Sequence, residues 1–140
     1  MIKIYSHINP DKLLHIIHRV SEISEQRCDV VPPDQFLQMA AFELPFGKTF
    51  KAHKHNMNYD LDAWTNGRLA QESWVVIQGS VQCQFYDTDG TLIATPILHE
   101  GDCSITLYGG HNYVSLEAGT LVREFKTGPY ISQEQDKSFI

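Results

Sequence analysis

His53-Lys54-His55 is the chain's densest chemical feature. On a strand, side chains alternate faces, so both imidazoles project the same way with Cα atoms ~6.6 Å apart. At that separation the two rings can lean onto one ion, with metal–nitrogen bonds of about 2.1 Å. The alternative is an exposed cationic patch, because Lys51 and Lys54 flank the pair. Glu72 opens the next apolar segment and shares a face with Trp74 and Val76, which brings a carboxylate to a strand end. An ordinary strand-terminal acid is its other reading. His111 follows Gly109-Gly110, a backbone suited to close approach or an unusual turn; taken alone it is a turn histidine. Tyr113 falls on the His111 face, as a proton donor or as a packing tyrosine. Nothing around His7, His15, His18 or His99 requires a function.

These groups need elements to position them, and from Phe36 onward the pattern is β. Segments Phe36–Leu44, Thr49–Met57, Trp74–Gln78, Val81–Tyr86, Thr91–His99, Cys103–Tyr108, His111–Leu116 and Thr120–Lys126 are separated by glycine turns. Val81, Cys83 and Phe85 alternate with Gln82, Gln84 and Tyr86, the mark of a half-buried strand. Gly79-Ser80 reads as a two-residue hairpin turn. Pro96 makes Thr91–His99 an edge strand or two pieces. Many short strands at this spacing imply an antiparallel sandwich or barrel. Before them, Asn9-Pro10 reads as a helix start, and Leu13, Ile16, Ile17 and Val20 recur at helical spacing, predicting a helix over about 10–25. The expected organisation is a helical extension over 1–35, a barrel over 36–130 and a tail over 131–140 that is frayed or docks on a neighbour.

Composition narrows the function. The chain has 140 residues, 42% of them hydrophobic, with 11 basic and 17 acidic residues and a net charge of −6. That is one domain able to bury a core without disulfides. No basic stripe recommends a nucleic acid, and no run of about 18 apolar residues recommends a membrane. The amino terminus lacks a signal-peptide pattern, and three cysteines without close pairing suit reduced thiols in the cytoplasm.

The spacing of the histidines carries a resemblance. Gly47 stands five residues before His53-Lys54-His55, and Glu72 is followed after six residues by Gly79. Gly101, Leu107, Gly109 and His111 follow in order. These positions resemble the two motifs of the cupin superfamily. Leu107 stands in place of the usual proline, one residue instead of two separates Gly109 from His111, and Ser115 occupies an asparagine position. The stretch 56–71 between His55 and Glu72 is far longer than usual. More narrowly, Gln71-Glu72-Ser73-Trp74, Gly101-Asp102, Gly110-His111 and Lys126-Thr127-Gly128-Pro129-Tyr130 are similar to the WbuC-type cupins of bacterial polysaccharide biosynthesis. The resemblance implies an all-β jelly-roll barrel holding a divalent ion, Zn, Fe, Mn or Ni, on His53, His55, Glu72 and His111. Such a donor set does not choose among these metals.

The implied function is a metal-dependent isomerase or epimerase of a phosphorylated or nucleotide-linked sugar, with His111 or Tyr113 moving the proton. An Fe(II) dioxygenase with a more apolar pocket, a non-catalytic carbohydrate-binding module, and a metal-free epimerase using histidine as base are the alternatives. Lys51, Tyr59, Trp64 and Arg68 are candidate substrate contacts, a basic, aromatic and guanidinium kit suited to sugar and phosphate. Asp60 and Asp62 accompany them in the long insertion. The apolar Phe36–Leu44 strand needs covering, which suggests a homodimer.

Overall fold

A computed structural model describes residues 1–56 and 70–140. Candidates Tyr59, Asp60, Asp62, Trp64 and Arg68 lie outside the described residues. The strands are β1 (Ile2–Tyr5), β2 (Leu13–Ile17), β3 (Cys28–Asp29), β4 (Leu37–Leu44), β5 (His53–His55), β6 (Glu72–Gln78) and β7 (Ser80–Tyr86). They continue as β8 (Leu92–Ala94), β9 (Ile97–His99), β10 (Cys103–Thr106), β11 (Gly110–Ser115), β12 (Thr120–Thr127) and β13 (Lys137–Phe139). One short helix, α1 (Gln133–Asp136), precedes β13. The fold class is all-β, as expected from the alternation, and Pro96 divides its segment into β8 and β9.

Two antiparallel sheets face each other. One has the order β10-β6-β12-β4-β3 and the other β13-β5-β11-β7-β8, with β9 also on β7. Ala40, Phe42, Leu44, Trp74, Val76 and Val122 project from the first sheet onto Val81, Cys83 and Tyr113 from the second. Trp74 is the centre of this core: it stacks on Phe42 at 5.2 Å and on Tyr113 at 4.1 Å between ring centroids. Offset aromatic contacts of this kind add about 0.5–1.5 kcal/mol each beyond area burial.

Gly79 corrects the hairpin reading. β6 and β7 belong to different sheets, so Gly79 is the corner where the chain crosses between layers. Its φ is +80°, and an added Cβ would stand 2.6 Å from Thr120 Oγ1. Hairpin and corner make the same local demand for a residue without a Cβ, so sequence alone could not separate them.

The expected helix over 10–25 is also corrected. Asn9-Pro10-Asp11-Lys12 forms a tight turn closed by Lys12 N–H on the Asn9 carbonyl at 2.9 Å. Proline suits the second position of such a turn as well as it suits the first turn of a helix. The turn returns β2 antiparallel to β1, pairing Ile2 with Ile17 and Lys3 with Ile16. His15 and His18 therefore do not share a helical face.

In place of a helix, the first 35 residues hold a hairpin, a 3₁₀ turn at Val20–Glu22 and strand β3, which joins the first sheet beside β4. Ile23 and Val30 pack on Ala41 of β4, with Ile16, Met39 and Leu121 around them. The outer face of β4 at Met39 and Ala41 is thus covered by its own chain, while Phe36 and Leu37 at its start stay exposed.

Candidate metal centre

Strand pairing brings the three histidines together. β5 runs beside β11 with His53 opposite His111, and the period of two puts His55 on the same inward face. Ring centroids lie 4.6 Å apart for His53–His111, 5.3 Å for His53–His55 and 5.4 Å for His55–His111. Glu72 approaches from the opposite sheet as the first residue of β6. One ligand atom from each of His53, His55, Glu72 and His111 lies within 4.8 Å of all the others, and all four residues are buried. The exposed-patch reading of the histidine pair therefore fails.

The donors are arranged as ligands. His53 Nδ1 donates to the Lys51 carbonyl at 2.9 Å, which fixes the tautomer and leaves the Nε2 lone pair facing the cluster. His55 Nε2 and His111 Nε2 stand 3.2 and 3.1 Å from the two Glu72 oxygens, without hydrogen-bonding alignment. His53 Nε2 and both ring nitrogens of His55 and of His111 are buried without a hydrogen-bond partner. A buried polar atom left unpaired costs about 1–3 kcal/mol, so one such nitrogen from each of three rings gathered with a carboxylate fits a cation better than a packed core. Trp74 Nε1–H donates to Glu72 Oε1 at 2.9 Å, holding the carboxylate in place.

The electrostatics of the metal-free site follow from these neighbours. Burial lowers the pKa of His53 to about 4, with Lys137 adding to the effect, so its ring is neutral at pH 7. Burial also opposes charge on His55, but the carboxylates of Asp136 and Glu72 overcome it and raise its pKa to about 9. Burial works against ionised Glu72 too, yet His111 and His55 hold it well below the usual carboxylate range. Tyr113 is buried, and its hydroxyl lies 3.0 Å from Ser104 Oγ. Burial, then the charge of Glu72, pushes its pKa up, so the hydroxyl stays neutral.

A cavity of about 550 Å³ opens over the cluster and is lined by His53, Glu72, His111 and Tyr113. Four basic residues, Arg27, Lys48, Lys51 and Lys137, also line it. Of the sequence candidates, Lys51 is thus brought to the site. Lys54 turns away to donate to the Thr88 carbonyl at 2.7 Å.

Sequence reasoning missed Arg27, Lys48, Glu124, Asp136 and Lys137. Glu124 lies inward on β12 opposite Trp74, paired with Arg27 at 3.2 Å. Burial and then the charge of Glu72 raise its pKa to about 7. Its alternation with Val122 and Lys126 was the one available signal for it.

No protein-family model and no curated protein sequence matches the chain. Similarity is found in solved structures. KdgF from Halomonas sp. superposes with a TM-score of 0.56 at 19% identity, covering 77% of this chain and 81% of that one. CapF, a capsular polysaccharide assembling protein from Staphylococcus aureus, gives 0.64 at 14% identity, covering 85% of this chain. A variant of B. subtilis oxalate decarboxylase gives 0.62 at 18%, covering 90%. All three are cupin-fold proteins, with a buried cluster in this chain where a cupin holds its metal.

The chain has the cupin fold.

The chain spans 33% of the CapF chain and 32% of the oxalate decarboxylase chain, so it corresponds to one part of each. Its four clustered side chains are those that the two motifs single out. The motif departures at Leu107 and before His111 do not disturb the inward position of His111, which is fully buried. A divalent metal site on this fold is what the donor set supports.

Proposed function

We propose that this cupin is a metal-dependent isomerase or epimerase acting on an anionic carbohydrate, phosphorylated or nucleotide-linked, in cell-surface polysaccharide biosynthesis. The observation that carries this reading is the cavity: His53, Glu72 and His111 of the four-residue cluster on its wall and four basic residues lining it in a chain of net charge −6. An acidic protein that gathers cations around one cavity suits an anion there, drawn by local field rather than net charge. The similarity to CapF supports the polysaccharide setting. Three free thiols are in keeping with a cytoplasmic location, and among the described residues no helix is long and apolar enough to cross a membrane.

His53, His55, Glu72 and His111 would hold the ion, whose chemistry is to polarise a carbonyl beside an acidic C–H. Lys51, Lys48 and Lys137 orient the anionic group away from the cluster. Tyr113, kept neutral by burial, donates a hydrogen bond and does not ionise. Proton transfer falls better to Glu124 than to His111, because His111 is committed to the ion while Glu124 lines the cavity and burial raises its pKa. Three lysines lining the cavity favour an anionic substrate over the dioxygenase alternative.

The test is metal analysis of protein purified without chelators, wild type beside His53→Ala, followed by deuterium wash-in from solvent into phosphorylated and nucleotide-linked sugars. One equivalent of metal in wild type, its loss in the variant and deuterium at a carbon next to a carbonyl are expected. A metal-free wild type overturns the metal reading. Tight binding of the sugars with no exchange in any of them overturns the isomerase in favour of a binding module.

A further inference from the structure

The last residues of the chain return to the metal cluster. β13 pairs antiparallel with β5, placing Lys137 opposite His55 and Phe139 opposite His53. Asn56 N–H donates to the Asp136 carbonyl at 2.8 Å, and Ile140 N–H donates to the Ala52 carbonyl at 2.9 Å, so the arm is fastened at both ends of the histidine strand. Gly110, the residue before His111, makes room for it: a Cβ there would collide with the Ile140 Cδ1 methyl and would approach the His53 carbonyl at 3.1 Å. The arm therefore packs against both strands that carry histidines. Gln133, Lys137 and Phe139 also line the cavity.

Within the arm, Asp136 occupies a particular place. Its Oδ2 receives a hydrogen bond from buried Lys126 Nζ at 2.8 Å and stands 3.6 Å from His55 Nδ1. The other ring nitrogen of His55 faces Glu72. The His55 side chain is 1% exposed and that of Asp136 is 10% exposed, so water screens this pair little. A carboxylate beside one imidazole nitrogen favours the tautomer with the proton on that nitrogen, leaving the lone pair on the other. Lys126 Nζ is a second partner of this carboxylate, whose place beside His55 is set by the backbone pairing of the arm with β5.

We infer that Asp136 is a positioning residue of the metal centre, holding His55 as the Nδ1–H tautomer with Nε2 presented to a divalent cation, and that the C-terminal arm is therefore part of the site. This rests on His55 being a metal ligand.

The experiment compares Zn²⁺ affinity, by competition with a chromogenic chelator, in wild type, Asp136→Asn and Lys126→Met. Asp136→Asn removes the charge at nearly constant shape, and loss of such an outer partner weakens metal binding by roughly 10–100-fold. Lys126→Met breaks the same ion pair but retains the carboxylate, so affinity stays within about twofold of wild type or tightens. If Asp136 only anchors the arm through Lys126, both variants lose affinity alike. Equal losses, or an Asp136→Asn affinity within twofold of wild type, overturn the inference. Nitrogen NMR of the zinc-loaded wild type supplies a second reading: a proton on His55 Nδ1 supports the assignment, and a proton on Nε2 refutes it. A wild type that binds no zinc overturns the metal reading itself, which separates that failure from this one.

Discussion

Trp74→Phe tests how the barrel core is coupled to the metal centre. Trp74 stacks between Phe42 and Tyr113 and also donates through Nε1 to Glu72 Oε1 at 2.9 Å. Phenylalanine keeps a ring in the stack and deletes the donor. A hydrogen bond to a charged group contributes about 1.5–3 kcal/mol, and the smaller ring forfeits roughly another 1–2 kcal/mol of buried apolar area. The cost to the metal-free protein should therefore be about 2.5–5 kcal/mol by these two contributions. A double-mutant cycle with Glu72→Gln separates them. A neutral acceptor makes a bond about half as strong, so the coupling between the two sites should be about 1 kcal/mol. Urea unfolding at pH 7 with chelator present measures all four corners of the cycle. In the zinc-loaded protein, Trp74→Phe alone should weaken binding roughly tenfold, as expected when a ligand's supporting partner is lost. A coupling below about 0.3 kcal/mol, the scatter of independent sites, would show that Trp74 contributes packing alone.

Two further outcomes follow. The stability of the metal-free protein should have two opposed pH limbs: the raised pKa of His55 gives stability that is complete below its unfolded value and is lost as pH rises through about 9, whereas the lowered pKa of His53 imposes a cost that grows as pH falls from 6.5 to about 4, opposed by Glu124, whose raised pKa costs stability as pH rises from 4.5 to about 7. Urea midpoints that are level from pH 4 to 10 would contradict both assignments. The apolar surface left exposed on β1, β2 and the Phe36-Leu37 segment should bury itself in a homodimer; sedimentation showing only monomer at micromolar concentration would reject this.

The barrel was legible because its core strands obey the period of two. Val81 and Cys83 are fully buried between half-exposed glutamines, as their alternation predicts. The amino terminus misled for a physical reason. Leu13-Leu14-His15-Ile16-Ile17 carries apolar residues at positions that satisfy both helical and extended periods, and Asn9-Pro10-Asp11 suits either a helix start or a turn. The choice was made by β1, a partner that local propensity cannot register. The carboxy-terminal arm escaped for the same reason: Lys137–Phe139 owes its extended form to pairing with β5, far earlier in the chain.

The site was legible only in its clustered histidines and Glu72, because histidine spacing survives in sequence while charge pairing across the barrel does not. β12 makes the distinction visible. Its inward positions are Thr120, Val122, Glu124 and Lys126, all buried, so the alternation continues while its chemistry changes from core to charge. A buried charge survives only where it is paired, and the partners here come from elsewhere: Arg27 for Glu124 and Asp136 for Lys126. Both pairs lie where β12 runs beside Trp74 and Glu72. Breaches of the rule that keeps charges outside are thus gathered beside the metal ligands, while Thr120 and Val122 sit toward the other end of the strand. That is the distribution expected when a fold yields local stability at a working site and recovers it in the core. It also explains why Glu124, which lines the cavity, is better understood as part of the site than as an irregularity of a strand.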